Sequence, residues 1–232
     1  MRVLAIESST ILASVAVLEN DKILSFASST NQRSHSEFLN PAIEKCLQTS
    51  GINFNQIDVF ACGLGPGSFT GVRVAGNIAK SFSYLFSKPM VAIDSLEILH
   101  HQNLSKGYQV VLINAYKNQV YTAFYVDGQR VLAPCALNLE KLEKAITEKF
   151  GSQESIEICG DGYFIFENEF SPQLRSRLSR SSEAKDYPSA ETLGHLAYEK
   201  GQINQTKDWK SYAPLYIRDS EAEEKRREKD GY

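Results

Sequence analysis

The sequence is poor in cysteine, in tryptophan and in long apolar runs. Its four cysteines, Cys46, Cys62, Cys135 and Cys159, stand far apart and form no CxxC pair. This spacing argues against a disulfide scaffold or a zinc framework and suits reduced, mostly buried thiols. No segment approaches the ~18 apolar residues of a membrane span. The opening MRVLAIESS turns acidic too early for a signal peptide, so a cytoplasmic protein away from membranes is expected. An excess of positive charge is also missing: 25 Lys and Arg against 28 Asp and Glu leave a net charge of −3. That argues against a surface that coats nucleic acid and leaves room for a local basic patch. The four histidines, His35, His100, His101 and His195, make neither HxxxH nor HExxH, so no helix face offers a metal-binding pair.

What is present is an ordinary globular composition over 232 residues, enough for one large domain or two small ones. The first half reads as strands at Arg2–Ile6, Ala13–Leu18 and Lys22–Ala27, with an Asn20-Asp21 hairpin turn between the last two. Both faces of these strands are apolar, which predicts a sheet covered on both sides. Ser34 to Gln48 has helical spacing and a Ser34/Glu37 capping box; Pro41 should kink it or mark a late start, and Gly51 closes it. Strands at Ile57–Cys62 and Met90–Ile93 flank a long helix, and Ser95–His101 is a short one. The second half repeats the order, with strands at Gln109–Ile113, Gln119–Val126 and Arg130–Leu137, a helix at Leu139–Phe150, a strand at Ile156–Cys159 and a helix at Ser189–Lys200. Pro134 marks an edge strand, and Phe170–Lys185 reads as a surface loop. The fold class expected is α/β, a duplicated actin-like (Hsp70 and sugar-kinase) fold of two βββαβα halves with mixed sheets. The halves span residues 1–105 and 106–218, followed by a charged helix or tail over 219–232.

The densest signal is the glycine turn Gly63 to Gly71, with four glycines and one proline in nine residues. It could cradle a phosphate at a helix N-terminus, or seat the helix against another surface. No Lys follows at Walker A spacing, the third glycine of a dinucleotide fingerprint is missing, and Ser68 is not on a GxSxG elbow. Ser8 and Thr10, in the turn Glu7–Thr10, suit either phosphate contact or an ordinary polar hairpin. The candidate phosphate-contact residues are thus Ser8, Thr10, Gly65, Gly67 and Ser68. Gly160-Asp161-Gly162 is a fainter nucleotide turn. The helix after the glycines is apolar nearly all round, with Gly71, Ala75, Ala79 and Ser83 in a four-residue stripe, so it is buried inside or against a partner.

GLGPGSFTGVRVAGNIAKSF, with Pro89 and Ala92 to Leu96 after it, resembles the TsaB (YeaZ) family of bacteria. The opening strands, Arg33 to Pro41, Asn114 to Tyr125 and Pro214 to Arg218 are similar to it too. The family usually has Asp where this chain has Glu7, and Asp-Ala-Arg where it has Asn114-Ala115-Tyr116. The resemblance implies the actin-like fold and a non-catalytic role in forming N6-threonylcarbamoyladenosine (t6A) in tRNA. It implies heterodimerisation with TsaD, which carries the catalytic metal site, and a complex joined by the ATPase TsaE. The isolated protein would form a homodimer and reach tRNA only through the complex, with ATP or ADP, if any, at the complex interface. The paired N-terminal helices would then supply the interface, through His35, Phe38, Leu39 and Ala42 from the first and Gly71, Arg73, Val74, Ala75, Ile78, Ala79 and Phe82 from the second. Small residues at a four-residue step would admit a facing helix closely. The rival readings are a self-sufficient ATPase or kinase of this fold, and a peptidase acting on TsaD.

Overall fold

The structure, a computed structural model, describes residues 1–30, 35–152, 155–202 and 208–218. The first sheet holds β1 (Arg2–Glu7), β2 (Ala13–Glu19), β3 (Lys22–Ser29), β4 (Val59–Gly63) and β5 (Met90–Ile93) in the order β3-β2-β1-β4-β5. The second holds β6 (Tyr108–Asn114), β7 (Val120–Val126), β8 (Gln129–Leu137), β9 (Ile156–Cys159) and β10 (Leu178–Ser179) in the order β10-β9-β6-β7-β8. Each sheet has an antiparallel meander of three strands and two further strands parallel to the first of them. The two halves therefore share one topology, that of the duplicated actin-like fold.

Among the described residues seven helices accompany the strands: α1 (His35–Ser50), α2 (Phe69–Phe86), α3 (Ser95–Gln102), α4 (Leu139–Phe150), α5 (Tyr163–Phe166), α6 (Pro172–Arg175) and α7 (Ala190–Gln202). Alternate residues of β1 face opposite layers. Leu4 and Ile6 pack with Leu39, Ile43, Ala75 and Ala79 of α1 and α2. Val3 and Ala5 pack with Leu193, Leu196 and Ala197 of α7. The second sheet lies between α4, which contributes Leu142, Ile146 and Phe150, and α3, which contributes Leu96 and Leu99. Covering both faces is why the strands read as apolar runs rather than alternating ones.

Three expectations about elements need correcting. Phe170–Lys185 is not a bare loop: it holds α6 and β10, and Phe170 and Leu174 are buried in the second core. A four-residue helix and a two-residue strand are too short to leave a period in a sequence. Pro41 does not mark the start of α1, which begins at His35 and carries Pro41 in its second turn. Ile57 and Asp58 precede β4, and Ile57 instead closes a 3₁₀ turn over Phe54–Gln56. Pro134 does lie on an edge strand, β8. The charged run 219–232, the Ser34 cap and the His35 side chain lie outside the described residues. Among the described residues no helix is long and apolar enough to cross a membrane.

Candidate functional site

The parallel strands β1, β4 and β5 end side by side, and the three segments that leave them make the site. Such carboxyl ends are where open α/β sheets form crevices. The glycine turn rests on the Glu7–Thr10 turn, backbone against backbone. Ser68 N–H donates to the Ser9 carbonyl (2.6 Å), and the Ser8 hydroxyl donates to the Gly71 carbonyl (2.9 Å). A Cβ on Gly67 would stand 2.1 Å from the Ser9 carbonyl oxygen, and one on Gly71 would stand 1.9 Å from that of Ser8. The glycines are thus required by the chain's own close approach. Ser68 caps α2, its Oγ accepting from Gly71 N–H (3.2 Å). The structure does bring Ser8, Thr10, Gly65, Gly67 and Ser68 together, but the Ser8 hydroxyl, the Ser68 amide and the Ser68 hydroxyl are all engaged within the chain. Gly65 lies at the cis Gly65–Pro66 bond, with positive φ.

Beneath these turns lies Glu7, fully buried. One carboxylate oxygen accepts from Ser9 N–H (2.6 Å) and the other has no hydrogen-bond partner. Burial pushes its pKa up to about 7, against the pull of the Ser9 hydrogen bond. Gly63 leaves its carboxylate room, since a Cβ there would lie 1.8 Å from Glu7 Oε2. Behind the site, Asp94 caps α3 and accepts from the Arg130 guanidinium (2.7 Å) reaching over from β8, while Arg130 also donates to the Tyr125 hydroxyl (2.9 Å). Burial holds Asp94 above the ordinary carboxylate value even with Arg130 drawing it down. This cluster ties the two halves together; the sequence offers no sign of it, because its members are 36 residues apart.

In front, a cleft of about 700 Å³ separates Ser9, Thr10, Ser68 and Thr70 on one wall from Asn114, Asp161, Phe164 and Tyr187 on the other. The faint Gly160–Gly162 signal does come to this cleft: Gly160 has φ +98, and Asp161 accepts from Asn114 N–H (2.9 Å). Burial pushes the Asp161 pKa up to about 6. The cleft lining carries one carboxylate and neither Lys nor Arg. Among the described residues no group of three or more His, Cys, Asp and Glu could hold a metal ion.

The helix pair corrects the expected interface. Ala75 is 1 % exposed and Ala79 0 %, and Gly71 and Ser83 are buried with them. The small-residue stripe closes onto this chain's own first sheet, as do Leu39 and Ala42 of α1. Of the α2 residues expected at an interface, Gly71, Ala75 and Ala79 turn inward, and Arg73, Val74 and Ile78 do not. The outer face carries exposed Arg73, half-buried Val74 and Ile78, and exposed Tyr84 and Leu85, beside half-buried Phe38 of α1, whereas Phe82, also expected there, packs on Phe54 and buried Phe60 of the chain's own core. Sequence reasoning missed Tyr84 and Leu85; the spacing of Val74, Ile78 and Leu85 along one helix face was the available signal.

It also missed what the C-terminal segment does. Residues 208–218 strap across α2 and the glycine turn. Trp209 meets Tyr84 edge to face, and the Tyr212 hydroxyl donates to the Val72 carbonyl (3.3 Å) beside Gly76. Leu215 N–H donates to the Leu64 carbonyl (2.8 Å), and Arg73 donates to the Tyr216 hydroxyl (2.7 Å). Arg218 then reaches the Ala115 carbonyl (2.5 Å) in the second half.

Comparison with known proteins adds the family. A family model described as TsaD, tRNA N6-adenosine threonylcarbamoyltransferase, matches residues 25–226. The tRNA threonylcarbamoyladenosine biosynthesis protein TsaB of Buchnera aphidicola (subspecies Acyrthosiphon pisum) is 30% identical over 158 residues, which cover 67% of this chain and 69% of that one. The TsaB of Escherichia coli K12 is 36% identical over 128 residues, 54% and 55% of the two chains. A solved structure from Pseudomonas aeruginosa, described as an uncharacterized protein with similarity to peptidase YEAZ, superposes with a TM-score of 0.78 at 26% identity, covering 94% of this chain and 99% of that one. With the glycine turn, the duplicated sheets and these matches in agreement, the chain belongs to the TsaB (YeaZ) family.

Proposed function

We propose that this protein is a non-catalytic subunit in the cytoplasmic formation of t6A in tRNA, and that it binds a TsaD-type transferase through the outer faces of α1 and α2. The relatives' names support the pathway. The observation that carries the binding mode is the apolar outer face of α2. Ile78 and Val74 are half-buried, and Leu85 and Tyr84 stand 68% and 66% exposed, although the inner stripe of the same helix is already satisfied by its own sheet. A surface of this kind marks a protein contact, and a facing pair of helices would complete a four-helix arrangement. The same face would pair two copies when the partner is absent. TsaE joins the pair in this reading, and ATP or ADP binds at the contact with the partner. Ser68 is used as a helix cap, and among the described residues no histidine lines the cleft beside it, which speaks against a peptidase.

Isothermal calorimetry of the full chain with TsaD from the same organism tests the binding mode. Ile78→Asp and Leu85→Asp should each weaken binding at least tenfold while circular dichroism stays unchanged. Wild-type affinity in both variants refutes this face. The pathway is tested separately: depletion of the protein should lower the t6A content of bulk tRNA by mass spectrometry. ATP turnover by the purified chain alone at enzymatic rates would favour the self-sufficient ATPase.

A further inference from the structure

The edge of the cleft holds a second cavity of about 350 Å³ with different chemistry. Phe69, Tyr116, Tyr121 and Tyr216 supply aromatic walls, Lys117 and Arg218 supply cations, and among the described residues no carboxylate lines it. Arg73 adds a third cation at the rim, its guanidinium 3.6 Å from the centre of the Phe69 ring; among the described residues it has no acidic partner. Two rings stand well into solvent, Tyr116 at 60% and Tyr216 at 45% exposure. Tyr116 is held there by an unusual backbone: Tyr116, Lys117 and Asn118 have φ of +58, +52 and +54 in succession. Left-handed conformations in residues other than glycine persist only where their surroundings impose them, and they cluster at functional sites. Here Tyr116 N–H donates to the Asn114 side chain (2.8 Å), Gln119 N–H donates to the Tyr116 carbonyl (3.1 Å), and Arg218 holds the Ala115 carbonyl from the strap.

We propose that this cavity and its rim bind unpaired nucleotides of single-stranded RNA, with bases stacked on Tyr116 and Tyr216 and phosphates met by Arg73 and Lys117. Aromatic faces interleaved with Arg and Lys are the general means of gripping unstacked bases and their backbone. The three cations come from α2, the β6–β7 turn and the strap, so they lie along an edge and suit a strand rather than the clustered phosphates of one nucleotide. A base still paired in a duplex cannot enter a cavity of this size. The chain's net charge of −3 is no obstacle, because the patch is local. The proposal rests on the chemistry of this pocket and does not require the biosynthetic role.

Fluorescence anisotropy tests it, with the full chain and a labelled, unstructured RNA of about ten nucleotides, a length within the usual site sizes. The RNA should bind with an affinity that falls as salt rises. Tyr116→Ala and Tyr216→Ala should each weaken it about tenfold, and Tyr116→Phe should restore binding because the ring is kept. The two tyrosines sit on different elements, so loosening of the strap by the second variant leaves the first decisive. Absence of binding, wild-type affinity in both alanine variants, equal affinity for the same strand in a duplex, or displacement by an equal concentration of AMP or ATP would each overturn the proposal.

Discussion

Replacing Glu7 by Gln should stabilise the protein, by an amount that grows from pH 4.5 to 7 and is full above it. Glu7 is fully buried, with a pKa raised from 4.5 to about 7. The folded state therefore binds a proton that the unfolded state has released across that window. Stability owed to this group is fully present below pH 4.5, declines as pH rises toward 7, and is gone once the carboxyl is ionised in both states. The displacement is worth about 3 kcal/mol, a sizeable part of the stability of an ordinary domain. Gln keeps the carbonyl oxygen that accepts from Ser9 N–H and carries no charge, so Glu7→Gln should match the wild type in acid and exceed it by about 3 kcal/mol above pH 7. Urea unfolding of both proteins across a pH series measures this directly. The difference between them is the informative quantity, since it cancels the other carboxylates. A difference that stays flat with pH, or a variant weaker at high pH, would show that Glu7 is not held as a buried acid.

Ala75→Arg should destabilise the isolated protein by several kcal/mol, lowering its melting temperature in the absence of any partner; a folded Ala75→Arg variant that merely failed to bind would restore the small-residue stripe as a docking surface. Gly76→Val should push aside Tyr212, whose hydroxyl lies 1.9 Å from the position of a Cβ there. Hydrogen exchange should then rise in residues 208–218 and stay unchanged in β1. Arg130→Ala leaves Asp94 buried without its countercharge and should cost about 3 kcal/mol in chemical denaturation, with Asp94→Asn in the same background recovering part of the loss.

Much of the fold could be read from the chain because its main elements are local. The apolar runs of β1, β2 and β6 and the helical spacing of α1, α4 and α7 each sit within one window of sequence. The duplication followed from their order. The phase of α2 could not be read, because nearly every position of that helix is apolar or small and a period without contrast does not point anywhere. Its direction is fixed by contacts distant in sequence: the Ser8 and Ser9 carbonyls against Gly67 and Gly71, and Tyr212 against Gly76. The Glu7–Thr10 and glycine turns stood out in the chain, but their use was ambiguous, since glycines admit a phosphate and a neighbouring backbone equally well. The Arg130–Asp94 tie and the strap were invisible for the same reason. Tyr216 and Arg73 are 143 residues apart, and only the folded chain brings them together.

The layering of α3 and α7 has a consequence for synthesis. α7 covers one face of the first sheet, yet it is made long after the strands it covers. As the chain emerges from the ribosome, Val3, Ala5, Ala16 and Leu18 must wait for Leu193, Leu196 and Ala197. The apolar face of a sheet left open for that time is a hazard for aggregation. α3 is made early and waits in turn for the second sheet, against which Leu96 and Leu99 close. Each half thus withholds a wall from the other. Two fragments separated after α3 should be poorly behaved alone and should recover by combining in trans.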